Sequence, residues 1–234
     1  MSTGIIWVVF IVLMVVSLIV SKTLNRKIEK YSQEMIPSGL TGKEIAEKML
    51  RSFGITDVKV QSVAGKLTDH YNPTDKTLNL SETTYNMNSI AAAAVAAHEC
   101  GHAVQHAVGY KWLKMRSAMV PFVQFGSRWS QWILLAGMLL LGVASLVSFG
   151  EILLLIGIIL FSLTTIFSFV TLPVEYNASD RALNWLETSG MVVGEQHDKA
   201  QDALKCAART YVVAALSSLA TLLYYLMILN NRRS

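Results

Sequence analysis

SIAAAAVAAHECGHAVQHAVGY, residues 89–110, is a run of strong helix formers interrupted by histidine, glutamate and glycine. Asn88 or Ser89 supplies an N-cap ahead of it. On a helix, residues four apart lie one turn apart on the same face, so His98 and His102 are spaced to reach one ion together. Glu99, about 100° round the helix from His98, sits beside that ion without having to bind it. His-Glu-x-x-His at this spacing is the arrangement of a zinc hydrolase: two imidazole ligands, and a carboxylate that takes a proton from the zinc-bound water. The plainer reading has two histidines merely punctuating an alanine-rich helix. It must accept unpaired polar groups among apolar ones, and a glycine that costs the helix about 1 kcal/mol against alanine. Gly101 therefore predicts a close backbone approach at that point.

Catalytic zinc usually takes three protein ligands and keeps one position open, so a third ligand is expected elsewhere. The metzincin extension of the motif would need glycine at 105 and histidine at 108; the chain has Gln105 and Val108, which excludes that class. His106 continues the stripe but lies about 12 Å along the axis from His98, too far for one straight helix to close on a single ion. It reads as a packing residue or as support for a ligand.

The 234 residues are 53% hydrophobic and 15% charged, with mean hydropathy +0.42. That is too apolar for an ordinary soluble domain and indicates an integral membrane protein, with the lipid bilayer as a partner. The formal charge of +4 comes from basic residues clustered beside apolar runs. They form no stripe interleaved with aromatics, so no nucleic-acid partner is expected. Cys100 and Cys206 have neither the spacing of a metal-binding pair nor a disulfide framework, and read as small buried residues.

Residues 4–20 are an uncharged apolar run near the minimum length for a span. With no basic segment before it and no small-residue cleavage site after it, residues 1–21 read as a transmembrane anchor. Lys22, Arg26, Lys27 and Lys30 follow at once, which places residue 22 onward in the cytoplasm. Residues 22–131 read as a small cytoplasmic α/β domain. Thr41-Gly-Lys-Glu44 is a capping box opening an amphipathic helix with Ile45, Met49, Leu50 and Phe53 inward, and Gly54 stops it. Residues 58–63 alternate as a half-buried strand does. Residues 67–71 and 77–80 flank the five-residue turn Asn72-Pro-Thr-Asp-Lys76 of a hairpin. A strand beside the zinc helix either pairs with an extended peptide or is an ordinary sheet edge.

Lys111, Lys114, Arg116 and Arg128 again mark a cytoplasmic face, with Trp129 and Trp132 suited to the interface. Residues 132–149 and 152–172 are two further spans joined by Gly150-Glu151, so 132–172 forms a transmembrane hairpin. Residues 173–210 then return to the side of His98. Residues 211–229 make a fourth span, and 211–234 is the last span with its tail, including Arg232 and Arg233. The expected architecture is an α-helical integral membrane protein with four transmembrane helices and a small α/β zinc-peptidase domain.

Just after the third span comes PVEYNASDRA, residues 173–182. Glu175 opens a helix there, on the correct side of the membrane. On spacing alone it is either a carboxylate favoured near a helix N-terminus or the missing ligand. Here the chain resembles the gluzincin membrane proteases HtpX and the CaaX-prenyl protease, which pair a His-Glu-x-Gly-His helix with a later Glu-x-x-Ala-Asp segment. SGLTGKEIAEKML, LTDHYNP, AAHECGHAVQH and LPVEYNASDRAL resemble, in the same order, the bacterial neutral zinc membrane metallopeptidases, the YugP-like family. The resemblance runs from about residue 38 to 215. It implies one zinc on His98, His102 and Glu175, Glu99 as general base, and a multi-pass protein of the bacterial cell membrane whose active site faces the cytoplasm. The implied reaction is hydrolysis of peptide bonds in membrane or membrane-proximal proteins. One departure stands out: Ser179 occupies the position of the aspartate that orients a ligand histidine in the HtpX pattern. Arg181, His70 and Tyr71 are weaker candidates for stabilising the scissile carbonyl. The alternative from another class is a catalytically idle zinc-containing scaffold or chaperone for membrane proteins. A transporter is disfavoured because no span carries an ionisable residue at its middle.

Overall fold

A computed structural model describes residues 3–233, with side chains described for 4–231. The extreme ends of the expected anchor and tail, and the side chains of Arg232 and Arg233, lie outside the described residues. The chain is mostly helical with one small sheet. In order, the elements are α1 (Thr3–Ser32), α2 (Gly42–Ser52), β1 (Lys59–Val63), β2 (His70–Asn72), β3 (Thr77–Ser81), α3 (Glu82–Asn86), α4 (Ile90–Ala107), α5 (Lys111–Leu140), α6 (Val147–Thr188) and α7 (Glu195–Arg233), with a short 3-10 turn at Ala144–Leu146.

Two compact units emerge. The first comprises Met1–Leu18, Met115–Leu172 and Tyr211–Ser234; the second comprises Ile19–Lys114 and Pro173–Thr210. Within the first, Leu134, Leu141, Leu154, Ile158 and Leu229 form the buried cluster. Its outer surface exposes Trp7, Ile11, Phe122, Trp132, Phe149 and Ile159, side chains that water would penalise and hydrocarbon would not. Among the described residues, three helices are long and apolar enough to cross a membrane: Gly4–Ser32, Ala144–Thr188 and Glu195–Asn231. α5 is not among them; Ser127, Arg128, Ser130 and Gln131 dilute its apolar end.

The expected second span, 132–149, and its turn at Gly150-Glu151 need correction. α5 ends at Leu140, the chain turns over 141–146, and Gly150 and Glu151 lie in the first turns of α6. Gly150 serves packing instead of turning: a Cβ there would stand 2.9 Å from the Leu141 nitrogen and 3.0 Å from the Gly137 oxygen. The α5–α6 contact thus uses small residues to bring backbones together, as helices in lipid do. A second correction concerns Glu175, expected to open a new helix. α6 runs unbroken through Pro173, so Glu175 sits mid-helix and no helix N-terminus accounts for its charge.

In the second unit β3 is central, parallel to β1 (Lys59↔Thr77 through Val63↔Ser81) and antiparallel to β2 (His70↔Asn79, Tyr71↔Leu78, Asn72↔Thr77). β2 is three residues long and begins later than the sequence pattern predicts. Leu67 instead sits in the loop at φ 56, a backbone conformation that no ladder accommodates. α2 carries its expected capping box from Thr41 to Glu44, and Gly54 follows it at φ 69. The core joins Ile45 and Met49 of α2, Leu78 and Leu80 of β3, the alanines of α4, and Ala182 and Leu186 of α6. This packing explains why α4 is alanine-rich: it is covered on nearly every side, and small side chains let its neighbours come close.

Candidate metal centre

α4 and α6 meet at Gly101. A Cβ on this residue would lie 2.5 Å from the Ala178 carbonyl oxygen and 3.0 Å from its Cα, so only glycine admits the approach. This is the close backbone contact that the sequence predicts. His98 and His102 flank Gly101 on α4, while Glu175 and Ser179 flank Ala178 on α6. Crossing at this one point sets the four side chains face to face.

The Glu175 carboxylate, 2% exposed, lies 3.3 Å from His98 Nε2 and 3.6 Å from His102 Nε2. All three donor atoms lie within 4.8 Å of one another. A tetrahedral site with bonds of about 2.0–2.2 Å has edges of about 3.3–3.6 Å between its ligands, so both Glu175–histidine separations match such edges, and two imidazoles with a carboxylate are a donor set of the type zinc takes. The two imidazole rings stand nearly perpendicular, with centroids 4.8 Å apart and planes at 84°.

Each histidine is held through its other nitrogen. Ser179 Oγ lies 3.1 Å from His98 Nδ1, and Gln105 Oε1 lies 3.1 Å from His102 Nδ1. The orientation of Gln105 follows from its partners: its Nε2 donates to the Val174 carbonyl at 2.8 Å and to Asn177 Oδ1 at 3.1 Å. Its oxygen must therefore face His102, and an amide oxygen only accepts. His102 Nδ1 then carries a hydrogen, which leaves Nε2, the nitrogen facing Glu175, as the one that donates to the carboxylate when protonated and can lend its lone pair to a metal when not. Burial works against a charged His102, but hydrogen bonding and charge from Glu175 outweigh it, so its pKa stands above the usual histidine value.

Glu99, next to His98 in sequence and buried, accepts a hydrogen bond from the Tyr71 backbone N–H at 3.0 Å. Tyr71 Oη lies 2.8 Å from His106 Nδ1, so His106 supports Tyr71 and stays out of the donor set. Arg181 donates from Nε to Asn177 Oδ1 at 2.8 Å. It thereby steadies the acceptor that orients Gln105, a different part from the carbonyl-stabilising one considered from sequence. His70 Nδ1 pairs with the Thr68 carbonyl at 2.8 Å on an exposed strand. Sequence reasoning missed Gln105 and Asn177; the usable signal was a glutamine three residues after a ligand, on the ligand's own face. For Ser179, the hydroxyl replaces the missing aspartate as the partner of His98.

The family described as "Putative neutral zinc metallopeptidase" matches residues 6–230. The chain belongs to this family. It is 43% identical over 205 residues, 88% of each chain, to the "Putative membrane protease YugP" of Bacillus subtilis (strain 168). No solved structure matches it. A zinc peptidase family implies zinc, and the three converging donors are a possible place for it. The membrane-protease relative and the three apolar helices together indicate a membrane protein.

Proposed function

We propose that this chain is a membrane-embedded zinc metalloendopeptidase of gluzincin type. It holds one zinc on His98, His102 and Glu175 and hydrolyses peptide bonds of membrane or membrane-proximal proteins at the cytoplasmic face. The observation that carries the proposal is the convergence of those three donors within 4.8 Å, with Glu99 held beside them by a backbone N–H. The four-span arrangement, with α5 as the additional span, rests on the apolar side chains that α5 exposes, among them Phe122, Phe125, Trp132 and Leu139. The orientation rests on the positive residues that follow the first apolar run.

When bound, zinc would lower the pKa of water and polarise the scissile carbonyl. Gln105 and Ser179 hold the two imidazoles in place through Nδ1, which leaves each Nε2 facing Glu175, and buried Glu175 supplies the anionic donor. Glu99 takes a proton from the attacking water as the new C–O bond forms, and delivers it to the amine nitrogen as the C–N bond breaks. Tyr71 sits on the edge strand β2, and its N–H turns away from β3 toward Glu99. An extended peptide pairing with that edge takes over the Tyr71 N–H and frees Glu99 to act as base.

The test is proteolysis of a membrane-protein panel in nanodiscs by wild type and Glu99→Gln, with zinc quantified in both. Glu99→Gln is expected to keep its zinc and lose cleavage by a factor of about 100 or more. Equal cleavage by both would remove Glu99 from the mechanism. Stoichiometric zinc without cleavage by wild type would favour the scaffold.

A further inference from the structure

α4 is buried along almost its whole length. Between Ser89 and Gln105 only Val95 and His98 are partly open to solvent. They belong to one stripe, because Ala91, Val95, His98 and His102 are spaced by four, three and four residues. The open face of the helix is therefore the face of the proposed zinc ligands. A cavity of about 650 Å³ lies against the upstream part of this stripe and is lined by Ala91 and Val95. Its other walls include Ile28 and Glu29 of α1, Leu67 of the loop before β2, and Met87.

Two lines lead into this space from the site. Along α4, Val95 is about 4.5 Å and Ala91 about 10 Å of axis from His98. On the sheet side, the Tyr71 N–H of β2 donates to Glu99, and in the loop four residues before it Leu67 lines the cavity with Val95. α4 and the chain leading into β2 thus both run from the site to walls of the cavity. An extended peptide advances about 3.3 Å per residue, so the cavity spans the first three or so residues on one side of the scissile bond. Its volume falls in the range of pockets that bury small ligands. Ala91, Ala92 and Val95 give it an apolar floor. Leu67 stands at its wall 49% exposed, an apolar side chain on a positive-φ backbone.

We propose that this cavity is the specificity subsite of the cleft, taking a bulky aliphatic or aromatic side chain of an extended peptide substrate. The inference rests on the peptidase reading above and adds which feature of the substrate is recognised. The juxtamembrane end of α1 forms part of the pocket, so the first helix helps to select substrate.

The experiment profiles cleavage of a randomised peptide library by the zinc-loaded full chain in detergent, for wild type, Val95→Phe and Leu67→Ala, with zinc content and melting recorded for each. Wild type is expected to prefer large apolar residues at one position within three of the cut. Val95→Phe narrows the cavity at its end toward His98 and shifts that position alone toward small residues, changing the large-to-small ratio by about 10-fold or more. Leu67→Ala widens the preference at the same position, and it carries the test if Val95→Phe fails to fold. A profile unchanged at every position, or a uniform drop for all peptides with zinc retained, overturns the subsite while leaving the peptidase intact. If zinc-loaded wild type cuts no peptide, the peptidase reading falls and takes this inference with it.

Discussion

Replacing Gly101 by alanine puts a methyl carbon 2.5 Å from the Ala178 carbonyl oxygen. A relaxed contact needs about 3.5 Å, so α4 and α6 must separate by up to about 1 Å where they cross. Neither contact atom can swing away, because Ala178 meets the methyl with its backbone. Overpacking of this kind costs about 1–3 kcal/mol, and the gain in helix propensity returns about 1 kcal/mol. The net loss of about 0–2 kcal/mol leaves a typical domain folded. The site fares worse, since ligand distances must hold to about 0.2 Å and Glu175 and Ser179 both ride on the helix that is displaced. Gly101→Ala is therefore expected to fold with nearly wild-type melting in chelator while binding zinc at least 10-fold more weakly. A chelator-competition titration in detergent, paired with thermal melts, measures both. Wild-type zinc affinity together with a raised melting temperature would refute the reasoning, since it would mean that the crossing is not what sets the donor spacing.

Ser179→Ala removes the partner of His98 Nδ1 and should weaken zinc binding about 10- to 100-fold. Ser179→Asp should restore it, and metal titration of the three proteins decides. Gln105→Leu leaves the Val174 carbonyl and Asn177 Oδ1 without this donor and His102 without its acceptor. A stability loss of about 1–3 kcal/mol and a similar loss of zinc affinity are expected from denaturant melts and titration. The raised pKa of His102 fixes a sign of pH dependence. Zinc must displace the proton, so affinity should already be falling between pH 7 and 6. In chelated protein the His102–Glu175 interaction stabilises while His102 is charged, and this contribution fades as pH rises through the raised pKa. Metal-free and zinc-loaded melts should therefore slope in opposite directions with pH; parallel slopes would contradict the assignment.

The helix that bears the candidate donors was legible because its signals are local: two imidazoles at i and i+4, a neighbouring carboxylate and a glycine all lie within one stretch. Gly101 even announced a close approach, although nothing local says that Ala178 makes it. The capping box at Thr41 and the stop at Gly54 were readable for the same reason. The hairpin turn was not, because a glycine that packs two helices and a glycine that turns a chain look alike in sequence. Gly150 is the first kind. The stretch around Glu175 misled in the opposite way, since the new helix expected to open there is the unbroken continuation of α6 through Pro173. The supports of the two histidines come from long-range pairs, Ser179 with His98 and Asn177 with Gln105, which no periodicity on one helix reveals. The family resemblance offered an aspartate at 179 that the chain lacks, and only geometry shows the serine hydroxyl standing in its place.

The most direct test of the central claim is zinc content and coordination in purified wild type and Glu175→Ala, by elemental analysis and zinc-edge X-ray absorption. The account predicts one zinc per wild-type chain, bound by two imidazoles and light oxygen donors without sulfur, and loss of most of that zinc in Glu175→Ala. A Glu175→Ala protein that keeps stoichiometric zinc with an unchanged absorption spectrum would contradict it.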